Sequence, residues 1–155
     1  MPKRKNLSLK KRSRRDFIDS RTVWKKGKRV INTDGKKGLP VTPEQYEMVS
    51  AFMEDFASRQ PDPRFFRVMD VARRIAGTGS LGIGRYAILV RGNGSPDNNY
   101  MLDLKLSLSS SLAKHVKIKQ PHWNSESERV TSVQGLMQAV FPVPARRARR
   151  RLRPA

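Results

Sequence analysis

The sequence contains no cysteine. Disulfides, thiolate zinc sites and a cysteine nucleophile are therefore excluded, and a reducing, cytoplasmic setting fits. No apolar run approaches the roughly 18 residues of a membrane span, and the N-terminus lacks the apolar core of a signal peptide. No membrane partner is expected. There are two histidines, His115 and His122. Neither has a carboxylate or second ligand at metal spacing, so both read as surface residues and no metal site is expected. A Ser-His-Asp order and internal repeats are also missing. Hydrophobic residues make up 37% of the 155, less than in an average globular protein. That allows one domain with a modest core and leaves part of the chain unpacked.

Positive charge is abundant but unevenly placed. The formal charge is +20. Residues 1–30 hold 13 Lys/Arg and 2 acids, and residues 146–153 hold 6 Arg and no acid. Residues 31–145 are left with a net of only +3. The globular part is thus near neutral between basic ends. Such ends attract nucleic acid without sequence preference, the plain alternative being solvated, flexible termini. Aromatic side chains do not interleave with the basic runs, so base stacking is poorly supported.

Residues 1–15 have little apolar surface to bury and read as disordered. Thr22–Trp24 and Arg29–Ile31 read as two short strands around Gly27, and Asp34-Gly35 turns toward Gly38–Val41. This stretch is either a small hairpin with exposed basic side chains or a surface loop. A helix start is clear at Thr42-Pro43-Glu44-Gln45, where Thr42 and Gln45 fit a capping box and Pro43 takes the first helical position. Tyr46, Val49, Phe52, Met53 and Phe56 recur at helical spacing to about Ser58, a core stripe ended by Gln60-Pro61-Asp62-Pro63. Ser125 and Glu128 form another capping-box pair. A second helix follows, with apolar positions Val130, Val133, Leu136, Met137 and Val140.

Glycine spacing between the two helices points to chemistry. Val71–Ala76 reads as a strand, followed by Gly77-Thr78-Gly79-Ser80-Leu81-Gly82. Arg85–Arg91 reads as a second strand with Tyr86, Ile88 and Val90 on one face. Residues 92–99 read as a loop, and Tyr100–Lys105 as a third strand. A dinucleotide fingerprint needs a helix right after the glycines, but RYAILV is β-branched and aromatic. A Walker loop needs Gly-Lys-Ser/Thr, which is absent. What remains is the glycine flap of protein-kinase-like folds, in which two antiparallel strands lie over nucleotide phosphates and a lysine on the next strand reaches them. Gly77, Gly79 and Gly82 would let backbone N–H groups approach phosphate, with Ser80 in the same turn and Lys105 as the point charge. A glycine-rich hairpin with no ligand is the bland alternative. Glu126 lies four residues before Val130, on the same helix face, where a carboxylate needs a cation. Lys105 is one candidate partner; otherwise Glu126 is simply a first-turn acid favoured by the helix dipole.

Two long strings, DVARRIAGTGSLGIGRYAILVRGNGSPDNNYMLDLK and QPHWNSESERVTSVQGLMQAV, closely resemble the uncharacterised bacterial family known as domain of unknown function 2252. The resemblance runs from about Arg14 to Val140. It implies a protein-kinase-like relationship, with Gly77–Lys105 as the nucleotide-facing part of a small lobe and ATP with magnesium as the ligand. It brings no established substrate. Family members are more than twice this long and carry a Gly-Asp-Ala-His motif followed by an asparagine, which has no match here. After Val140 the sequence turns to FPVPARRARRRLRPA where relatives continue with an apolar helix. A truncated or frameshifted member is therefore expected, and sequencing the downstream gene tests this: family-like coding in another frame supports it, and none refutes it. Gly84 and Leu106-Ser107 also depart from the usual family residues.

The expected architecture is α+β: an antiparallel sheet of three to five strands with two main helices, resembling a kinase-like small lobe. The expected boundaries are a basic arm over 1–15, a partial domain over 16–140 and an Arg/Pro/Ala tail over 141–155. The expected function is nucleotide binding through Gly77, Gly79, Ser80, Gly82, Lys105 and Glu126, without phosphoryl transfer by this chain alone, since no acid is placed to hold magnesium or orient a nucleophile. The alternative is a basic nucleic-acid-associated protein that binds through its Lys/Arg-rich ends.

Overall fold

The computed structural model describes residues 13–35, 38–75, 84–94 and 97–137. They belong to two compact units that divide between Leu104 and Lys105.

The first unit opens with helix α1 (Arg14–Asp19), capped by the Ser13 hydroxyl, which accepts from the Asp16 amide. Arg14 and Arg15, assigned by sequence to the basic arm, belong to this helix. Burial of Ile18 anchors it. Strands β1 (Thr22–Lys25) and β2 (Lys28–Ile31) pair antiparallel, with Val23 opposite Val30 and Trp24 opposite Arg29. Lys26 and Gly27 have φ of +50° and +71°. Two left-handed residues in a two-residue loop match the right-handed twist of the strands. Of the two sequence options for this stretch, the hairpin is the one observed.

Helix α2 (Pro43–Ser58) starts where the sequence places it. The Thr42 hydroxyl accepts from the Gln45 amide (3.3 Å), and the Gln45 side chain accepts from the Thr42 amide (3.1 Å). Two orphan N–H groups at the helix start are thereby satisfied. Val49, Met53 and Ala57 form its buried stripe, with Phe52 and Phe56 half-buried beside it. A single 3-10 turn, Pro63–Phe66, then stacks aromatic rings on this stripe: Phe66 meets Phe56 edge-on at 5.1 Å, and Phe65 meets Tyr100 at 4.9 Å.

The main sheet runs β3 (Gly38–Leu39), β4 (Val68–Arg74), β5 (Arg85–Gly94), β6 (Asn98–Lys105) in that spatial order. Side-chain alternation along β5 divides the core. Ile88 and Val90 join Val49, Met53 and Val71 on the α2 side, and Leu89 joins Ile18, Ile31 and Ala72 on the side of α1 and the hairpin. A register break between Val68 and Asp70 opposite β5 allows β4 to serve both cores. The extra residue resets the alternation, so Val68 and Val71 share one face although they are three apart, and Met69 and Ala72 share the other.

The loop expected at residues 92–99 is shorter than its composition implies. β5 extends to Gly94, and β6 begins at Asn98. Asn99 is fully buried, and its amide nitrogen donates to the Arg91 carbonyl at 3.1 Å. This turn residue therefore serves the interior, where its amide nitrogen finds a backbone partner. In the second unit, a 3-10 turn (Ser111–Lys114) precedes helix α3 (Glu126–Met137). The Ser125 hydroxyl accepts from the Glu128 amide as expected, while the Glu128 carboxylate reaches back to the Asn124 amide. The apolar stripe of α3 differs from expectation: Leu136 and Met137 are 86% and 81% exposed. Val140 and Ala76 lie outside the described residues.

Gly92 has φ +62°, and a Cβ there would sit 2.1 Å from the Asn98 carbonyl oxygen and 2.6 Å from the Tyr100 ring. Gly27 has a similar φ with nothing within 4 Å. Gly27→Ala should cost about 1 kcal/mol of backbone strain, and Gly92→Ala more than about 3 kcal/mol because backbone must also move. Urea denaturation of the two variants checks this; equal costs would contradict the packing described.

Candidate functional site

The pairing of β4 with β5 determines how residues 75–84 leave and re-enter the sheet. Ala72 lies opposite Ala87, and Arg73 opposite Tyr86. Continued by one residue, this antiparallel register sets Arg74 against Arg85 at the root of the connection. A strand, not a helix, follows the glycine segment. Gly77, Gly79, Ser80 and Gly82 themselves lie outside the described residues.

Two arginines facing each other across a ladder repel unless an anion is shared between them. Asp103 on β6 is that anion. Its carboxylate accepts from Arg74 Nη1 at 2.9 Å and from Arg85 Nε at 2.9 Å, and Arg85 Nη2 closes a second bond. Arg85 thus grips Asp103 with a two-pronged fork, the strongest geometry for this pair. Alternation accounts for the meeting. Ala72 and Arg74 share a β4 face, Ala87 and Arg85 a β5 face, and Met101 and Asp103 a β6 face, all on the side of the α1 core. Partial burial works to raise the pKa of Asp103, but the Arg85 hydrogen bond and the charges of Arg74 and Arg85 outweigh it, and the net shift is downward. The Asp103 bond in turn raises the pKa of Arg85. The trio keeps a net positive charge at the mouth of the glycine connection.

Lys105 is the last residue of β6 and is exposed. It is two residues beyond Asp103 on the same strand. Among the described residues Lys105 enters no ion pair. The Glu126 carboxylate accepts from Arg129 Nε at 2.7 Å within α3, and Arg129 Nη2 also donates to the Leu108 carbonyl at 3.3 Å. The cation on Glu126 here is therefore Arg129.

Sequence spacing gives no sign of the Arg74–Asp103–Arg85 cluster, because its members lie 18 and 29 residues apart. The pairing register and the parity of alternation would both have been needed. His115 and His122 are exposed. Among the described residues no group of three or more potential metal ligands occurs, and no helix is long and apolar enough to cross a membrane.

A model of the family described as "Uncharacterized protein conserved in bacteria (DUF2252)" matches residues 4–144. No curated protein and no solved structure matches the chain.

The lowered pKa of Asp103 sets a pH dependence. A carboxylate depressed in the folded state adds stability above its unfolded pKa, near 4, and loses that contribution as pH falls through the folded value. The stability gap between wild type and Asp103→Asn should be constant above about pH 5 and shrink below about pH 4. Urea midpoints taken from pH 2.5 to 7 test this, and a gap independent of pH would refute it.

Proposed function

The chain belongs to this family of uncharacterised proteins conserved in bacteria, and we propose that it binds a nucleoside triphosphate with magnesium across the β4–β5 connection. The antiparallel register that brings Arg74 and Arg85 together, with strand on both sides of the glycines, carries the reading. A glycine-rich turn between two such strands can present consecutive N–H groups to phosphate oxygens. Gly77, Gly79, Ser80 and Gly82 would line that turn. Lys105, at the end of the adjacent strand, would add a mobile ammonium. The kinase-like relationship implied by the sequence resemblance belongs to the same proposal.

Arg74, Arg85 and Asp103 extend it. Fixed to each other, they supply positive potential at the root of the turn without a side chain that must be ordered on binding. A phosphate near Arg85 competes with Asp103 for the guanidinium, so the cluster tunes affinity as well as attracting the ligand. Glu126 would contribute by exchanging Arg129 for Lys105. The chain is proposed to bind and not to transfer phosphate, since the sequence lacks the acid that would orient a nucleophile.

A ligand that binds only the folded state raises the melting temperature, and a hundredfold excess over Kd stabilises by about 2.7 kcal/mol. Mg–ATP should therefore raise the midpoint of the full chain, and Lys105→Ala should remove most of the rise while melting normally without nucleotide. No rise in the wild type, or an undiminished rise in Lys105→Ala, would overturn the proposal.

A further inference from the structure

The β1–β2 hairpin carries features that nucleotide binding leaves unused. Residues 20–33 hold five Lys/Arg and no acid. Lys25, Lys26 and Lys28 are exposed at the hairpin end. Lys26 occupies a left-handed position, φ +50°, where asparagine or glycine is the unstrained choice. A lysine held there at a local conformational cost points to a use for its charge.

Beside these lysines stands Trp24, 55% exposed. Its cross-strand partner Arg29 is 7% exposed and places its guanidinium 5.6 Å from the ring centroid. Asp19 pairs with Arg29 and fixes it. The ring is thus supported by the protein while much of its surface remains open. It forms one wall of a 510 Å³ pocket whose other lining residues are Arg15, Asp19, Thr22, Arg29 and Asp97. Two arginines and two aspartates balance the charge inside. A neutral, flat group with hydrogen-bonding edges suits this lining, and an anion is better placed outside it, at the lysines. By strand alternation Trp24 and Arg29 lie on one face of the hairpin and Lys25 and Lys28 on the other, with Lys26 at the tip.

We infer that this hairpin is a binding surface for single-stranded nucleic acid. One base stacks on Trp24 in the pocket, and the strand rounds the hairpin end with its phosphates on Lys26, Lys25 and Lys28. Stacking on an aromatic platform flanked by cations is the physical basis of sequence-tolerant single-strand binding. The carboxylates of Asp19 and Asp97 accept from N–H groups on the base edge, such as the N3–H of uracil or thymine, which phosphate-only binding would not use. A bilayer is a poorer partner, because a tryptophan that inserts needs apolar neighbours, and this one is set between a polar pocket and lysines. Binding at the hairpin does not depend on the nucleotide proposal.

The test uses the full chain with Trp123→Phe, which leaves Trp24 as the reporting indole. Labelled single strands of uridine and of thymidine, about 15 nucleotides long, should both quench Trp24 emission. Trp24→Ala should weaken binding about tenfold with the salt dependence retained, and Trp24→Phe should recover most of the loss. Lys26→Gly should lower the slope of log affinity against log salt by about 0.7, one phosphate contact. Circular dichroism of each variant confirms folding. Binding unchanged by Trp24→Ala would place all affinity in the basic ends and overturn the inference. So would Trp24 emission that responds to phosphatidylserine vesicles but to neither oligonucleotide. Neither result bears on Mg–ATP stabilisation.

Discussion

β5 has no solvent-exposed face along Ile88, Leu89 and Val90, each 1% exposed or less. Burial on both faces leaves a central strand little freedom of register, because a slip of one residue would exchange its two faces. Ile88 and Val90 require a cover, which α2 supplies; Leu89 requires another, which α1 and the β1–β2 hairpin supply. The small first unit is organised by that demand. Fully burying each of these aliphatic side chains stabilises by about 1.5–3 kcal/mol, more than a surface ion pair provides.

The other features follow from that strand. With β5 fixed, β4 must pair so that Val71 meets the α2 core, and the bulge before Asp70 turns the carboxylate of that residue toward the hairpin. There Asp70 Oδ2 accepts from the Ile31 amide at 2.6 Å, linking the two sheets at their shared core. The same register brings Arg74 opposite Arg85, and Asp103 on β6 relieves the repulsion. The rigid strand buried between two layers thus fixes both ends of the glycine connection. Binding sites are commonly built this way, with a loop spanning elements that packing has already set.

Much of this was legible in the amino-acid order. The Thr42 capping box, the Val49–Met53 stripe, and the parity of Tyr86, Ile88 and Val90 are local signals, and local physics decides them. Residues 92–99 read as a loop because Gly, Asn and Asp mark turns on average, while Asn99 is used inside the sheet, where the Arg91 carbonyl accepts from its amide nitrogen. The bulge near Asp70 left no mark in the sequence, since it depends on how β4 must serve two cores at once. The Arg74–Asp103–Arg85 cluster was invisible for a similar reason: a three-strand contact needs the register first. Trp24 reads as an ordinary strand residue, and only the hairpin twist and the position of Arg29 leave it open. The apolar residues of α3 have the right period but remain exposed at Leu136 and Met137, so period alone did not establish burial.

Packing of β4 against β5 fixes Arg74 and Arg85 at the two ends of the glycine connection, and the proposed role of that connection is to bind phosphate. Backbone amide chemical shifts recorded during titration with magnesium and a non-hydrolysable triphosphate test it most directly. The largest changes should fall on Gly77, Gly79, Gly82 and Arg85, with the amides of Ile88–Val90 unmoved. Changes confined to the β1–β2 hairpin or to α2, with the glycine amides unmoved, would contradict it.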